Sequence, residues 1–135
     1  MSLILKIVLV KPPPRLLPLL QKVKAVYLVW FQYYQIIPKA HRHTLGQQID
    51  DIWIEIIKVI ATASFLPKQE KITYVRSAIQ RVDTLKVLFM VLWESGSLQN
   101  NQYAVLSVKI EEIGKMLGGW QGQLVKQNSP QKGEK

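Results

Sequence analysis

The sequence predicts an all-α fold, an up-down-up-down bundle of four helices. Apolar residues recur at spacings of three and four along four successive segments, which is the period of an amphipathic helix. Short stretches that contain proline or glycine separate these segments, and no segment after Pro14 has the pattern of a strand. The chain of 135 residues is 48% hydrophobic and 20% charged, which suits one compact domain and excludes a wholly disordered chain.

Composition divides the chain into three parts. Residues 1–14 form an apolar arm that ends in three prolines, which favour a stiff and extended chain. Residues 15–126 form the predicted bundle, and residues 127–135 form a polar tail that we expect to be disordered. The arm lacks the basic region and the cleavage site of a signal peptide, and no segment reaches the roughly 18 to 20 apolar residues of a membrane-spanning helix. We therefore predict a cytoplasmic protein with no membrane partner.

The first two helices carry more apolar surface than one bundle buries. The first is predicted from Arg15 to the residue before Pro38, and the second from about His41 to Phe65. Their apolar residues extend beyond a single stripe, and both helices contain large aromatic side chains. These aromatic residues are Trp30, Phe31, Tyr33, Tyr34 and Trp53. A lone bundle has no use for all of them, so we predict a homo-oligomer whose interfaces bury some of them.

The third and fourth helices have regular apolar seams. The third begins near Lys68 and ends at Ser95-Gly96-Ser97, a helix-terminating sequence. The predicted seam of the second helix consists of Leu45, Ile49, Ile52, Ile56, Val59 and Ala63, and it is widened by Trp53, Ile57 and Ile60. Those of the fourth helix are Tyr103, Leu106, Ile110, Ile113, Leu117, Trp120 and Leu124. The alternating steps of three and four in the fourth helix are typical of a bundle seam.

Residues suited to acid–base or metal chemistry are scarce. The chain has no cysteine, which excludes disulfides, thiolate metal sites and cysteine nucleophiles. Its two histidines, His41 and His43, are one residue apart, and the next carboxylates are Asp50, Asp51 and Glu55. These three lie on a predicted helix, where solvation or an ion pair is the ordinary role of a carboxylate. We predict no catalytic residue, no metal site and no cofactor.

The charge distribution points to an anionic partner. The net charge is +9, and residues 1–49 hold seven basic residues and no acidic one. Such a field attracts polyanions, and cations at the start of a helix favour an anion further. Four basic or titratable residues fall at the mouth of the second helix, between Lys39 and His43. The residues predicted to bind nucleic acid are Lys22, Lys24, Lys39, Arg42, Arg76, Arg81 and Lys86. Their spacing does not place all of them on one face of a monomer, so several subunits must pool their cations.

Four glycines lie inside helical patterns. They are Gly46, Gly114, Gly118 and Gly119. Because a glycine inside a helix costs about 1 kcal/mol relative to alanine, we expect each to mark a close approach of two helices. Trp120 continues the seam of the fourth helix, and we expect it to pack in the core.

Two motifs in order carry a resemblance to a known family. They are IPKAHRHTLGQQI at residues 37–49 and EEIGKMLGGW at residues 111–120, with an Ile-rich helix and LKVLF at residues 85–89 between them. This order is similar to the four-helix-bundle family that includes two groups. One group is the accessory variability determinant (Avd) proteins of diversity-generating retroelements, and the other is the proteins encoded in intervening sequences of bacterial 23S ribosomal RNA genes. The resemblance spans about residues 16–123.

The resemblance implies a basic, non-catalytic bundle that assembles into a ring-like pentamer. In the Avd branch it implies binding of the element's reverse transcriptase and template RNA in support of mutagenic cDNA synthesis. One departure concerns the third helix, where the family often has arginines four residues apart and this chain has Lys86 and Met90. Two alternatives stay open. One is an intervening-sequence protein of obscure function, and the other is a module that docks only to a protein.

Overall fold

The computed structural model describes residues 16–129 and is all-helical within that range. Its helices are α1 (Leu16–Ile36), α2 (Lys39–Arg42), α3 (Leu45–Ser64), α4 (Lys68–Glu94) and α5 (Asn100–Asn128). The predicted four-helix bundle is confirmed by the four long helices. The predicted arm, residues 1–14, lies outside the described residues.

The four long helices form a ring of neighbours around one core. α1 and α4 each pack against α3 and α5, so α1 and α4 lie diagonally across the bundle and run in the same direction. The rings of Trp30 and Phe89 meet across the core with centroids 5.6 Å apart. This contact places the second half of α1 and the second half of α4 at the same height along the bundle.

The core follows the helical period of the sequence, with one shift. In α5, Leu106, Ile110, Ile113, Leu117 and Leu124 are buried as predicted. In α3, Trp53 and Ile60, which were predicted to widen the seam, are fully buried, whereas Ile52 and Val59 are half-buried. The centre of the α3 seam therefore lies nearer Trp53 and Ile60 than Ile52 and Val59.

The predicted second helix is two helices. The chain leaves the four-residue α2 at His43, and Thr44 has φ −120° and ψ −99°, so the helical path is broken before Leu45. The break lets α3 approach the end of α1, where Ile37 is buried. The expectation of one continuous helix from His41 was wrong because this tertiary contact is not visible in the local apolar period.

Helix ends are set by particular residues. α4 ends before Gly96, whose φ of 87° is in the left-handed region that favours glycine. The Nζ of Lys71 donates a hydrogen bond of 2.6 Å to the carbonyl of Ala63, next to the C-terminus of α3, and burial lowers the pKa of this lysine. α5 continues to Asn128, so the first two residues of the predicted tail are helical, and residues 130–135 lie outside the described range. None of the described helices is long and apolar enough to cross a membrane.

Candidate nucleic-acid interface

Two of the predicted cations are held in a belt of ion pairs across α4, α5 and α1. Lys22 of α1 pairs with Glu112 of α5. On the other side of α5, the Nζ of Lys86 lies 2.7 Å from Glu111 and 3.7 Å from Asp83. The belt therefore joins three helices through the side chains of two consecutive glutamates.

The belt changes the titration of its glutamates. A hydrogen bond from Lys86, together with its charge, lowers the pKa of Glu111. A hydrogen bond from Lys22, together with its charge, lowers the pKa of Glu112 in the same way. The charge of Lys115 acts on both carboxylates in the same direction, and Lys109 acts on Glu112. Within the belt, Lys22 and Lys86 thus meet a carboxylate before they meet any external anion.

Sequence reasoning missed Lys109 and Lys115 as members of this belt. A signal for them was present, since Glu111 and Lys115 are separated by four residues and Lys109 and Glu112 by three. Opposite charges at these spacings face each other on a helix. The partners Lys22 and Lys86 were not predictable in this way, because they come from neighbouring helices.

Two of the predicted arginines form hydrogen bonds with groups that are close to them in the chain. The guanidinium of Arg42 donates from Nη2 to the carbonyl of Ile37 at 3.1 Å, and its Nε is buried without a hydrogen-bond partner in the described chain. Arg81 donates to the hydroxyl of Ser77, one turn earlier in α4. Arg42 therefore stabilises the turn between α1 and α2, and the side chain of Arg81 lies along α4.

The remaining predicted cations are Lys24, Lys39 and Arg76. All three are exposed and have no polar partner among residues 16–129. Lys24 is on α1, Arg76 is on the diagonally placed α4, and Lys39 is in the short α2. The structure thus does not bring the seven predicted residues onto one surface of a single chain, in agreement with the expectation from their spacing.

Hydrogen bonds to other parts of the bundle fix the residues just before the N-terminus of α3. Tyr34 donates its hydroxyl proton to the carbonyl of Arg42 at 3.0 Å, and Nδ1 of His41 forms a hydrogen bond of 2.6 Å with the hydroxyl of Ser97. Lys39 and His43 stay exposed at this end of the bundle. The predicted anion site thus retains these two side chains, while Arg42 faces inward.

A carboxylate that sequence analysis considered for acid–base chemistry is committed to helix packing. Asp50 of α3 accepts hydrogen bonds from the hydroxyl of Tyr27 at 2.9 Å and from the indole of Trp30 at 3.2 Å. Burial and the hydrogen bond to Asp50 raise the pKa of Tyr27 to about 12. Among residues 16–129, no group of three or more His, Asp or Glu residues is placed to hold a metal ion.

The glycines differ in what surrounds them. A Cβ at Gly46 would lie 2.7 Å from Ile37 Cδ1 and 2.9 Å from the carbonyl oxygen of His41, so α3 approaches these residues closely at Gly46. At Gly114 the nearest atom, Lys86 Nζ, would be at an ordinary 3.6 Å. At Gly118 and Gly119 no described atom lies within 4 Å, so packing within one chain requires neither glycine.

Trp120 is half-buried, at the edge of the core between α5 and α1. Its indole faces a surface groove that is also lined by Leu19 and Met116. Trp120 therefore packs against the buried core from its edge, with part of its side chain open to the groove.

Comparison with known proteins identifies one family. A family model described as bAvd-like matches residues 17–124, which covers all four long helices almost completely. A search of curated proteins finds no match.

Proposed function

Because the chain belongs to the bAvd-like family, we propose that it is a non-catalytic accessory protein of a diversity-generating retroelement. In this role it binds the element's reverse transcriptase and its template RNA and supports mutagenic cDNA synthesis. The family match across the bundle is the observation that carries the proposal. Catalysis belongs to the polymerase, and this chain contributes positioning.

The charges of the bundle support the RNA-binding part. Lys24, Lys39 and Arg76 have no carboxylate partner among the described residues, so their charges are available to phosphate oxygens. Ammonium and guanidinium groups on a helix surface contact the phosphate backbone before any base edge, so binding has little base preference. Lys22 and Lys86 join this set only when a phosphate displaces Glu112 or Glu111, because those carboxylates already neutralise them.

Two exposed apolar faces support assembly into a homo-oligomer. One is the α1 face, which consists of Leu28, Phe31 and Ile36, and the other is the α4 face, which consists of Val87, Met90 and Val91. Leu28 is 59% exposed and Val87 is 53% exposed, far more than a core residue. Because the two faces differ and lie on diagonal helices, contact between them is head-to-tail, and such contacts close into a ring when the rotation permits.

The heights of the two faces match. Trp30 of α1 contacts Phe89 of α4, so Leu28 and Val87, each two residues earlier on parallel helices, are level with each other. Two bundles that stand side by side in parallel therefore bring apolar residues together. We propose that this contact, repeated, forms the ring-like pentamer.

Such an assembly pools cations along each seam between subunits. Lys24 of one copy and Arg76 of the next copy lie on the two helices that meet there, about two turns apart in height, or roughly 10 Å. A nucleic-acid strand that follows the seam meets both side chains. This arrangement supplies the pooling that the spacing of the cations requires.

The test compares RNA binding by two variants of equal net charge. In the first, Lys24, Lys39 and Arg76 are replaced by Gln; in the control, Lys58, Lys68 and Lys126 are replaced by Gln. The probe is a fluorescently labelled RNA hairpin, measured by anisotropy over a series of salt concentrations. For the wild type, log K declines with log salt by somewhat less than one unit for each phosphate neutralised. The first variant removes three cations from each chain, so where all three contact one RNA we expect the slope to be smaller by about two to three units. The control retains most of the slope.

Light scattering on the same samples tests assembly. We expect a particle of about five times the 15.6 kDa chain, for the variants as for the wild type. A 15.6 kDa species at micromolar concentration contradicts the oligomer, and RNA affinity that is insensitive to salt contradicts the phosphate site. A complex with the reverse transcriptase that survives nuclease treatment and ignores added RNA favours the protein-only alternative. The retroelement assignment itself predicts a reverse-transcriptase gene with template and variable repeats beside this gene.

A further inference from the structure

A groove between α1 and α5 opens at the end of the bundle where α1 begins. Leu19, Met116, Trp120 and Gln123 line it. Leu19 is buried at its floor, and Met116 and Trp120 are half-buried on its wall. About one turn further along both helices, the ion pair between Lys22 and Glu112 crosses from α1 to α5 and closes the groove. The result is a short, mainly apolar slot that is open towards the N-terminal end of α1.

The chain itself offers a segment that fits such a slot. Residues 3–10, LILKIVLV, contain one charged side chain and seven aliphatic ones. Five residues join this segment to Leu16, the first residue of α1. Leu16 is about one helical turn before Leu19, which lines the groove. It also lies outside the part of the chain that the family model matches, residues 17–124, so the bundle common to the family does not account for it. In water, a continuous aliphatic segment favours an apolar surface.

We propose that the groove of each bundle binds the apolar segment, residues 3–10, of a second copy of the chain. The proposal rests on the homo-oligomer of the proposed function. It makes the segment a strap between neighbouring subunits.

The spacer between segment and helix favours a neighbouring groove over the chain's own. Residues 11–15 are Lys-Pro-Pro-Pro-Arg, and a proline run keeps its direction over several residues and rises about 3.1 Å per residue. From its composition we expect a spacer of this kind to extend roughly 15 Å, whereas the chain's own groove begins about one helical turn, roughly 5 Å, from Leu16. We expect a stiff spacer of that length to carry the segment past its own groove. Packed helices are about 10 Å apart, so an adjacent subunit is within reach.

The absence of cysteine from the chain makes crosslinking a clean test. Two chains with different affinity tags are co-expressed, one carrying Ile7→Cys in the segment and the other Met116→Cys in the groove. The purified oligomer is treated with a short bismaleimide and separated on a denaturing gel. We expect a covalent dimer that contains both tags. Gln123→Cys serves as a second groove position if the Met116 variant does not fold.

A matched control uses an exposed position of the same helix that lies more than two turns, roughly 12 Å, from Met116. Val108 of α5 is 62% exposed and lies away from the groove, so we expect no dimer when Val108→Cys replaces Met116→Cys. A dimer of equal yield with this control overturns the proposal. In a chain that carries both Ile7→Cys and Met116→Cys and is co-assembled with excess wild type, an internally crosslinked monomer shows that the segment binds its own groove, which also overturns the exchange.

Light scattering separates the failure of this proposal from that of the oligomer. An oligomer that gives no crosslink from Ile7→Cys to either groove position removes the strap and leaves the assembly and the proposed function in place. A chain that is monomeric removes both the oligomer and the strap.

Discussion

The two sides of α1 are joined to the bundle by different chemistry. Towards α3, Tyr27 and Trp30 donate hydrogen bonds to the single carboxylate of Asp50, and Trp30 is fully buried. Towards α5, the polar link is the ion pair of Lys22 with Glu112, whose side chains are 30% and 51% exposed. One side is thus fixed by neutral donors in a partly buried site, and the other by two charges in contact with water.

This difference assigns the two sides of α1 different roles: one contributes to the stability of the bundle, and the other keeps a lysine available to external anions. When one partner of a buried hydrogen bond is removed, the group left behind stays desolvated without a partner, and the fold loses the free energy of that desolvation. An exposed ion pair contributes little and weakens with salt, since water and ions compete with it. We therefore expect the α3 side to set the register of α1, whereas the lysine on the α5 side remains exchangeable with external anions.

The largest effect is expected for Asp50→Ala. The substitution leaves the hydroxyl of Tyr27 and the indole of Trp30 without their acceptor, and we expect a loss of about 2–3 kcal/mol in the free energy of unfolding. Urea unfolding at fixed protein concentration measures it. A loss close to zero contradicts the register role.

The same variant has a second readout at high pH. The pKa of Tyr27 is raised to about 12 by burial first and by Asp50 second, so Asp50→Ala moves this pKa part of the way back towards 10. A group whose pKa is raised on folding stabilises the native state below its unfolded pKa, and this contribution is lost as the pH rises through the folded pKa. The wild type therefore loses stability between about pH 10 and pH 12 through this group, and the variant loses less, as ultraviolet titration and unfolding at each pH can measure.

The next effect concerns the end of α1 on the same side. At Gly46→Ala the new Cβ meets Ile37 Cδ1 at 2.7 Å and a backbone oxygen at 2.9 Å, and the backbone cannot move away as a flexible side chain can. We expect a loss of about 2 kcal/mol in the free energy of unfolding.

Gly118→Ala is the matched control, because no described atom lies within 4 Å of its Cβ. There the helical preference of alanine acts alone, and we expect a gain of up to about 1 kcal/mol. Equal losses for the two alanine variants contradict the close approach at Gly46.

The sequence allowed the bundle to be predicted, because helical period depends only on residues close together in the chain. The break at Thr44 was not predictable in this way, since it follows from the contact of Gly46 with Ile37. The candidate site was predicted less completely. Lys22 and Lys86 are basic in any interpretation, but their pairing with consecutive glutamates depends on which helices are neighbours. Charge counts therefore identified the cations without showing which of them are already neutralised.

The smallest effect on stability, and the most direct test of availability, is expected for Glu112→Gln on the α5 side. The carboxylate is exposed and screened by salt, so we expect only a small loss of stability in urea unfolding at physiological salt. The lowered pKa of Glu112 stabilises the folded state at pH values above the ordinary carboxylate pKa. This stabilisation is lost as the pH falls through the lowered pKa, and the variant lacks this part of the pH dependence of unfolding. Affinity for the RNA hairpin rises, because Lys22 no longer has to exchange a carboxylate for a phosphate.

Glu94→Gln distinguishes release of Lys22 from a simple gain of net charge. Glu94 is exposed on α4 and has no ion pair in the described chain, so its replacement changes the net charge by the same amount without freeing a lysine. We expect Glu112→Gln to increase both the affinity at low salt and the salt slope, the latter by somewhat less than one unit, and Glu94→Gln to leave the slope unchanged. If both variants bind RNA identically, Lys22 does not contact phosphate, and the ion pair on the α5 side serves only to join two helices.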